Sequence, residues 1–316
     1  MAKKQPAKPA PAIQQKPQEI IGSVRGSSWA YLSMLIIAVI AIYARTSGYE
    51  YVNIDDSNLL YSNPTVIDPN GSFSDCFQQM IFSAYYKPMV FASWRLQYQL
   101  WGPEAGHFHT VNWILHLLNT LLVFWVGITL FGRIINDRHR QLLAAFFLAL
   151  LFSANPLRVE SVSWVTERKD VLFSFFLLLS WVCYLQYLKS SNYLFMILGA
   201  LLYLCSGLSK SMGIPFVAVV FLFDFYYGTK WSFRQALAKM PYYLSFLVLL
   251  VLYGFFNFLF HKSGQAPAVA DNAMDYFVEA ENRITSLSYV ASLPEWLQVL
   301  VTTCARVVLW IIHCFI

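Results

Sequence analysis

From Trp29 onward the chain alternates between long apolar runs and polar connections. The runs are Trp29–Ala44, Thr110–Phe131, Leu142–Ala154, Val171–Leu188, Tyr193–Leu208, Met212–Tyr227, Tyr242–Phe260 and Trp296–Ile316. A helix needs about 20 apolar residues to cross a bilayer core, and these runs approach that length. The pattern predicts an all-α polytopic membrane protein, a bundle of about eight transmembrane helices. The third run ends at Asn155-Pro156, Ser209-Lys210-Ser211 interrupts the fifth and sixth, and Pro215 suits the first turn of the sixth. Residues 1–28, rich in Lys, Pro, Ala and Gln, carry no apolar period and read as a disordered tail; 29–316 reads as one transmembrane domain. No small-residue cleavage site follows Trp29–Ala44, so that run is expected to be a first span and not a signal peptide.

The segment 45–110 is polar, with one periodic stretch. In Pro88–Trp101, Val90, Phe91, Trp94, Tyr98 and Trp101 share a helical face, with Ser93, Arg95, Gln97 and Gln99 on the other side. This predicts an aromatic-rich helix lying at the membrane surface.

Composition agrees with the pattern. Of 316 residues, 58% are hydrophobic and only 12% charged, about half the charge of a soluble domain. The distribution of charge matters more than its net value of +5. Connections on the side of the N-terminus carry Arg133, Arg138, Arg140, Lys189, Lys230, Arg234 and Lys239 against Asp137 alone. The opposite side holds nearly all the acids, among them Asp55, Asp56, Glu160, Asp170 and the run Asp271–Glu281. By the positive-inside rule the N-terminus is cytoplasmic and loops 45–110, 155–170 and 261–295 are extracytoplasmic. The partner this implies is a lipid bilayer, with no nucleic acid expected. Five cysteines, four of them in apolar runs, make no disulfide framework. No internal repeat and no matched pair of broken helices is visible.

Three polar groups meet the same membrane face. The first is the adjacent pair Asp55-Asp56; its plain alternative is an interfacial turn or cap. The second runs from Asn155 through Arg158 and Glu160 to Glu167-Arg168-Lys169-Asp170. Here Asp170 could cap the fourth helix and Arg168 could pair with Glu160 or Glu167, yet cations at a span junction also suit a phosphate, which a guanidinium grips as a fork. The third is the stripe His109, Asn112, His116 and Asn119, whose steps of three and four share one helical face. It serves either a site or interhelical hydrogen bonding. Metal binding by His107, His109 and an Asp is open, but the spacing is not diagnostic, and no metal ligand is assigned. Lys87 is either a snorkelling interfacial lysine or a point charge for a lipid phosphate. Lys210 lies between two apolar runs.

At these residues the chain resembles the membrane half of the transmembrane and tetratricopeptide-repeat O-mannosyltransferases and their bacterial relatives, glycosyltransferases of the GT-C fold. The matching stretches are Val52-Asn-Ile-Asp-Asp56, Tyr86-Lys-Pro88, Gly106-His-Phe-His-Thr-Val-Asn112 with His116-Leu-Leu-Asn119, Asn155-Pro-Leu-Arg-Val-Glu-Ser-Val162, Glu167-Arg-Lys-Asp170, and Ser209-Lys210 with Gly213. They fall in family order across 45–230. The family often has His where Asn155 and Arg158 stand here. The resemblance implies a GT-C-like bundle whose extracytoplasmic loop carries interfacial helices. It also implies inverting transfer of a hexose, with mannose the family's sugar, from a polyprenyl-phosphate donor to a protein or glycan hydroxyl outside the cytoplasm. Asp55 and Asp56 match the family's acidic residue, and Lys87 and Arg168, with Lys169 and Lys210, match its phosphate-holding cations. His107, His109, Asn112, His116, Glu160 and Asp170 are supporting residues. No cofactor beyond the lipid-linked sugar is called for, and a bacterial inner membrane is the expected location. Relatives continue into a helical-repeat domain, whereas this chain stops inside an apolar run, so either a compact variant or a truncated form is expected. The rival class is a non-enzymatic carrier or channel for a lipid-linked phosphate. It needs no acid pair opposite the cations.

Overall fold

The computed structural model describes residues 27–52, 55–78, 86–227 and 238–262; the predicted tail, apart from its last two residues, and the predicted last span lie outside them. Every regular element among the described residues is helical. Helix α1, Ser27–Tyr43, runs into a 3-10 turn at Ala44–Gly48. The loop beyond it contains two single-turn helices, α2 at Pro64–Ile67 and α3 at Asp75–Gln78. Then follow α4, Pro88–Trp101; α5, Ala105–Phe131; α6, Arg138–Ala154; the short α7, Arg158–Ser163; α8, Arg168–Ser190; α9, Tyr193–Ser209; α10, Phe216–Tyr227; and α11, Met240–Lys262. Three helical stretches, Ser28–Gly48, Ala105–Phe131 and Val165–Ser190, are long and apolar enough to cross a membrane. Tyr193–Ser209, Ser211–Phe223 and Met240–Leu252 are shorter apolar helices.

Three boundaries differ from the sequence reading. Helix α5 begins at Ala105 and not Thr110, because Pro103 and an extended Glu104 end the loop earlier. Helix α8 begins at Arg168 and not Val171, which turns Arg168, Lys169 and Asp170 from loop residues into a first helical turn. Helix α10 begins at Phe216, since Ser211–Gly213 closes into a 3-10 turn before Pro215.

The helices pack in sequence order, α5 on α6 and α8 on α9, with α5 also against α8, α1 against α6 and α11 against α9. Leu35, Phe124, Leu142, Ala145 and Ala149 join α1, α5 and α6. A ring-rich core of Trp181, Tyr184, Tyr203, Phe216 and Tyr242 joins α8 to α11. There Gly199 and Gly207 let α11 close on α9: an added Cβ would stand 2.3 Å from the Tyr242 hydroxyl and 2.4 Å from a Leu249 methyl. Small residues are the usual means of such close approach between apolar helices. Trp29, Ile37, Leu151, Leu201, Leu222 and Val251 are exposed on the outside of the bundle, as lipid-facing positions would be.

The loop carries its own core. Leu60, Val66, Cys76, Val90, Phe91, Trp94, Phe108, Val165 and Leu172 pack together, so α2, α3 and α4 form a lid on the start of α5 and α8. Two residues of the polar face assigned to α4 are also inside: Arg95 and Gln97 are buried, while Leu96, Gln99, Leu100 and Trp101 are exposed. Arg95 donates through both terminal nitrogens to loop carbonyls and Gln97 Oε1 accepts from Arg168, while Arg95 Nε and Gln97 Nε2 are left without a partner among the described residues.

Candidate active site

The acid pair follows the turn after α1. That turn is tied to α5, since Ser47 and Thr110 hydroxyls lie 2.7 Å apart and Trp113 Nε1 donates to Ser47 Oγ at 2.9 Å. Asp56 is fully buried. Its Oδ2 accepts from the Val52 amide at 2.9 Å. Its Oδ1 accepts from Trp164 Nε1 and the Thr166 amide, both at 3.1 Å, and from the Thr166 hydroxyl. A carboxylate surrounded by donors is solvated by the protein as it would be by water. Asp56 therefore clasps the first loop to the segment between α7 and α8. Asp55 is half-buried, and among the described residues its carboxylate makes no hydrogen bond or ion pair. Successive side chains diverge, so one member of the pair is anchored and the other left over.

Arg168 opens α8 and has no exposed surface. Its Nε donates to Asn112 Oδ1 at 2.6 Å, one terminal nitrogen to Gln97 Oε1 at 2.7 Å and the other to the Phe108 carbonyl at 2.8 Å, with the Phe108 ring 5.8 Å away. Neither Glu160 nor Glu167 is its partner. The guanidinium ties α4, α5 and α8 together, and each of its nitrogens donates to a neutral acceptor.

The other cations are placed differently. Lys169 pairs with Glu167 and Lys210 with Asp170, all four side chains retaining some exposure. Ser161 Oγ donates to the second Asp170 oxygen at 3.0 Å. Lys87, before α4, joins this cluster from a third direction. Burial, and then the Lys169 charge, brings its ammonium down to about 7, with Glu167 and Asp170 pulling the other way. Three lysines from α4, α8 and the α9–α10 junction thus converge on two carboxylates.

The polar stripe of α5 turns inward and bonds largely to backbone carbonyls, with His109 Nδ1 and Asn119 Oδ1 left without a partner among the described residues. His109 Nε2 lies 3.3 Å from the Glu50 carbonyl and His116 Nε2 3.2 Å from that of Ser153. Asn112 Nδ2 donates to the Trp164 carbonyl at 2.9 Å and Asn119 Nδ2 to that of Val171 at 2.8 Å. His107 stands apart, 3.2 Å from Glu104, and Glu160 is exposed. Among the described residues no group of three His, Cys, Asp or Glu is placed to hold a metal. An apolar groove of about 480 Å³ lies between α1, α5 and α8. Its α5 lining, Leu118, Leu121, Leu122 and Trp125, projects from the side away from His116 and Asn119, so it does not lead into the lysine cluster. Gln97, Trp164 and Thr166, which hold the two buried ions, carry no signal in their own spacing.

Comparison with known proteins places this arrangement. The chain is 29% identical to protein O-mannosyl-transferase TMTC1 of Mus musculus over 58% of its own length and 21% of that protein. It is 26% identical to TMTC2 of Homo sapiens over 63% of its length, and 27% identical to human TMTC4 over 69%. The chain resembles the TMTC protein O-mannosyl-transferases. It spans 24% of human TMTC2 and 32% of human TMTC4, and so corresponds to a part of these relatives. No family model matches the chain, and no solved structure does.

Proposed function

We propose that the chain is the membrane-embedded catalytic part of a glycosyltransferase of GT-C type. It moves a hexose, mannose by its resemblance to the TMTC proteins, from a polyprenyl-phosphate donor to an acceptor hydroxyl, with inversion at the anomeric carbon. The charge asymmetry of the connections puts this chemistry on the extracytoplasmic side. The observation that carries the reading is the division of labour in the acid pair. Asp56 is saturated and pins the loop to the start of α8, while Asp55 beside it keeps a carboxylate unengaged among the described residues, and Lys87, Lys169 and Lys210 supply a separate cluster of cations. Asp55 takes the proton of the acceptor hydroxyl as its oxygen attacks the anomeric carbon. The bond from that carbon to the phosphate oxygen breaks, and the lysines stabilise the charge left on the departing lipid phosphate.

The test is sugar transfer by purified protein from radiolabelled polyprenyl-phosphate mannose. Asp55→Asn keeps shape and removes the proton acceptor, so donor binding is retained while transfer falls by about 10²–10⁴. Wild-type transfer rates in Asp55→Asn would remove the proposed base. Movement of a lipid phosphate across vesicle membranes without any transfer would favour the carrier reading.

A further inference from the structure

Sequence reading points to Arg168 as the guanidinium that grips the donor phosphate. The structure seals Arg168 in the core with each guanidinium nitrogen donating to a neutral acceptor. A second guanidinium stands at the same end of the bundle. Arg158 opens α7 and is half-exposed. Its guanidinium lies 5.0 Å over the Phe152 ring, and that ring also stacks on His116 at 5.4 Å and 23°. Among the described residues Arg158 makes no ion pair and no side-chain hydrogen bond. It is held by ring faces and not by an acid. A stacked guanidinium keeps its N–H edge in the plane and open, with little rotamer freedom left to lose on binding.

What that edge meets is polar. Arg158 lines a small cavity together with Ser161, Asp170, Ser174, His116 and Asn119. The Oδ1 of Asn119 is buried there with no partner. Asp170 would repel an anion if it were bare, but Lys210 and Ser161 occupy its two oxygens. Beyond the cavity, Lys87, Lys169 and Lys210 gather around two acids, Glu167 and Asp170. The cavity itself is too small for a phosphate, so an anion would lie across its mouth, against the Arg158 edge.

Resting on the glycosyltransferase reading above, we propose that Arg158 is the residue that forks onto the phosphate oxygens of the lipid-linked donor, with Lys210 beside it. Arg168 is instead the positioning residue that holds α4, α5 and α8 in register beneath it.

The experiment measures binding in detergent of three probes: farnesyl phosphate, inorganic phosphate and farnesol. Wild type is expected to bind farnesyl phosphate saturably and more tightly than inorganic phosphate. Arg158→Ala should weaken farnesyl phosphate by about 10–100-fold, and Arg158→Lys by a smaller factor because charge survives without the fork, while farnesol is unaffected. Should Arg158→Ala fail to fold, Arg158→Gln, which keeps a planar group on Phe152, decides the matter at an unchanged melting temperature. Equal affinity for farnesyl phosphate in wild type and the folded variant overturns the assignment, as does no binding by wild type. Inorganic phosphate bound as tightly as farnesyl phosphate would mean a free-phosphate site and overturn the lipid assignment. Mannose transfer is scored separately. An active wild type with Arg158-independent binding refutes this inference alone, and Arg158-dependent binding without any transfer refutes the enzyme reading alone.

Discussion

Asp56 and Arg168 are two ions of opposite sign, both fully buried, and neither is paired with the other kind. Each is instead surrounded by neutral groups, three side-chain or backbone acceptors for Arg168 and donors from Val52, Trp164 and Thr166 for Asp56. Hydrogen bonds to a charged group contribute about 1.5–3 kcal/mol, and cutting one side leaves the other buried and unsatisfied. Asp56→Ala should therefore lower stability by about 3 kcal/mol, whereas Asp55→Ala should change it by less than about 0.5 kcal/mol. Thermal unfolding in detergent compares the two, and equal shifts would deny Asp56 its clasp. For Arg168, Arg168→Ala should destabilise strongly and Arg168→Met less, because an apolar side chain of similar length restores packing where Ala leaves a void. If both melt like wild type, the guanidinium does not hold the three helices. The sequence reading names the acid pair without telling which member is anchored. It could not place Arg168, because a cation buried among neutral amides looks, in sequence, like one facing water.

At the level of elements, the periodicity of Pro88–Trp101 defines α4 to the residue. It does not tell which face is inside. The reason lies in Arg95, whose guanidinium donates to the carbonyls of Thr65 at 2.6 Å and Asp68 at 2.9 Å, and to Gly71. With these acceptors supplied by the preceding loop, a polar residue becomes a core residue, and Leu96 and Leu100 are left outside to meet the interfacial zone. Gly71 has to be glycine for this, since an added Cβ would lie 2.8 Å from the guanidinium. Arg95→Ala should release the loop while sparing the bundle. Limited proteolysis should then cut between Asn63 and Gln78 faster than in wild type, with helix content by circular dichroism unchanged. An unaltered cleavage pattern would show that the small loop core holds without Arg95. The α5 stripe was legible from its steps of three and four, and its inward face follows from the cost of polar groups in lipid. Its partners were not, because they are backbone carbonyls on other helices. Lengths also matter here: α6 and α9 have 17 residues each and α5 has 27. At 1.5 Å per residue the former reach about 25 Å and the latter about 40 Å, against a hydrocarbon core of about 30 Å. The short helices therefore fall about 5 Å under that thickness and α5 exceeds it by about 10 Å.

For the whole molecule, the proposed donor site predicts pH-dependent binding through the lysine cluster. Lys87 sits near 7 in the free protein because burial and Lys169 disfavour its charge. A bound phosphodiester favours that charge and raises the value, so binding takes up a proton between the free and bound values. Affinity should be constant below pH 7, fall as pH rises from about 7 to 9, and level off beyond the bound value. A phosphodiester donor does not itself titrate in this window, so the slope reports on the protein. Lys87→Met should abolish the slope; its persistence in that variant would assign it elsewhere. The molecule is legible in sequence as a set of apolar runs and a face rich in acids, and illegible in the contacts that span the chain. Those contacts also have a timetable. Among the described residues Arg168 bonds to Gln97, Phe108 and Asn112, all of them made before it, so α8 meets waiting acceptors as it leaves the ribosome. Asp56 has the opposite fate. Its partners Trp164 and Thr166 follow it by 108 and 110 residues, which at about 5–20 residues per second is roughly 5–20 s of synthesis. For that interval the first loop hangs unclasped, and it shuts only when the growing chain delivers Thr166.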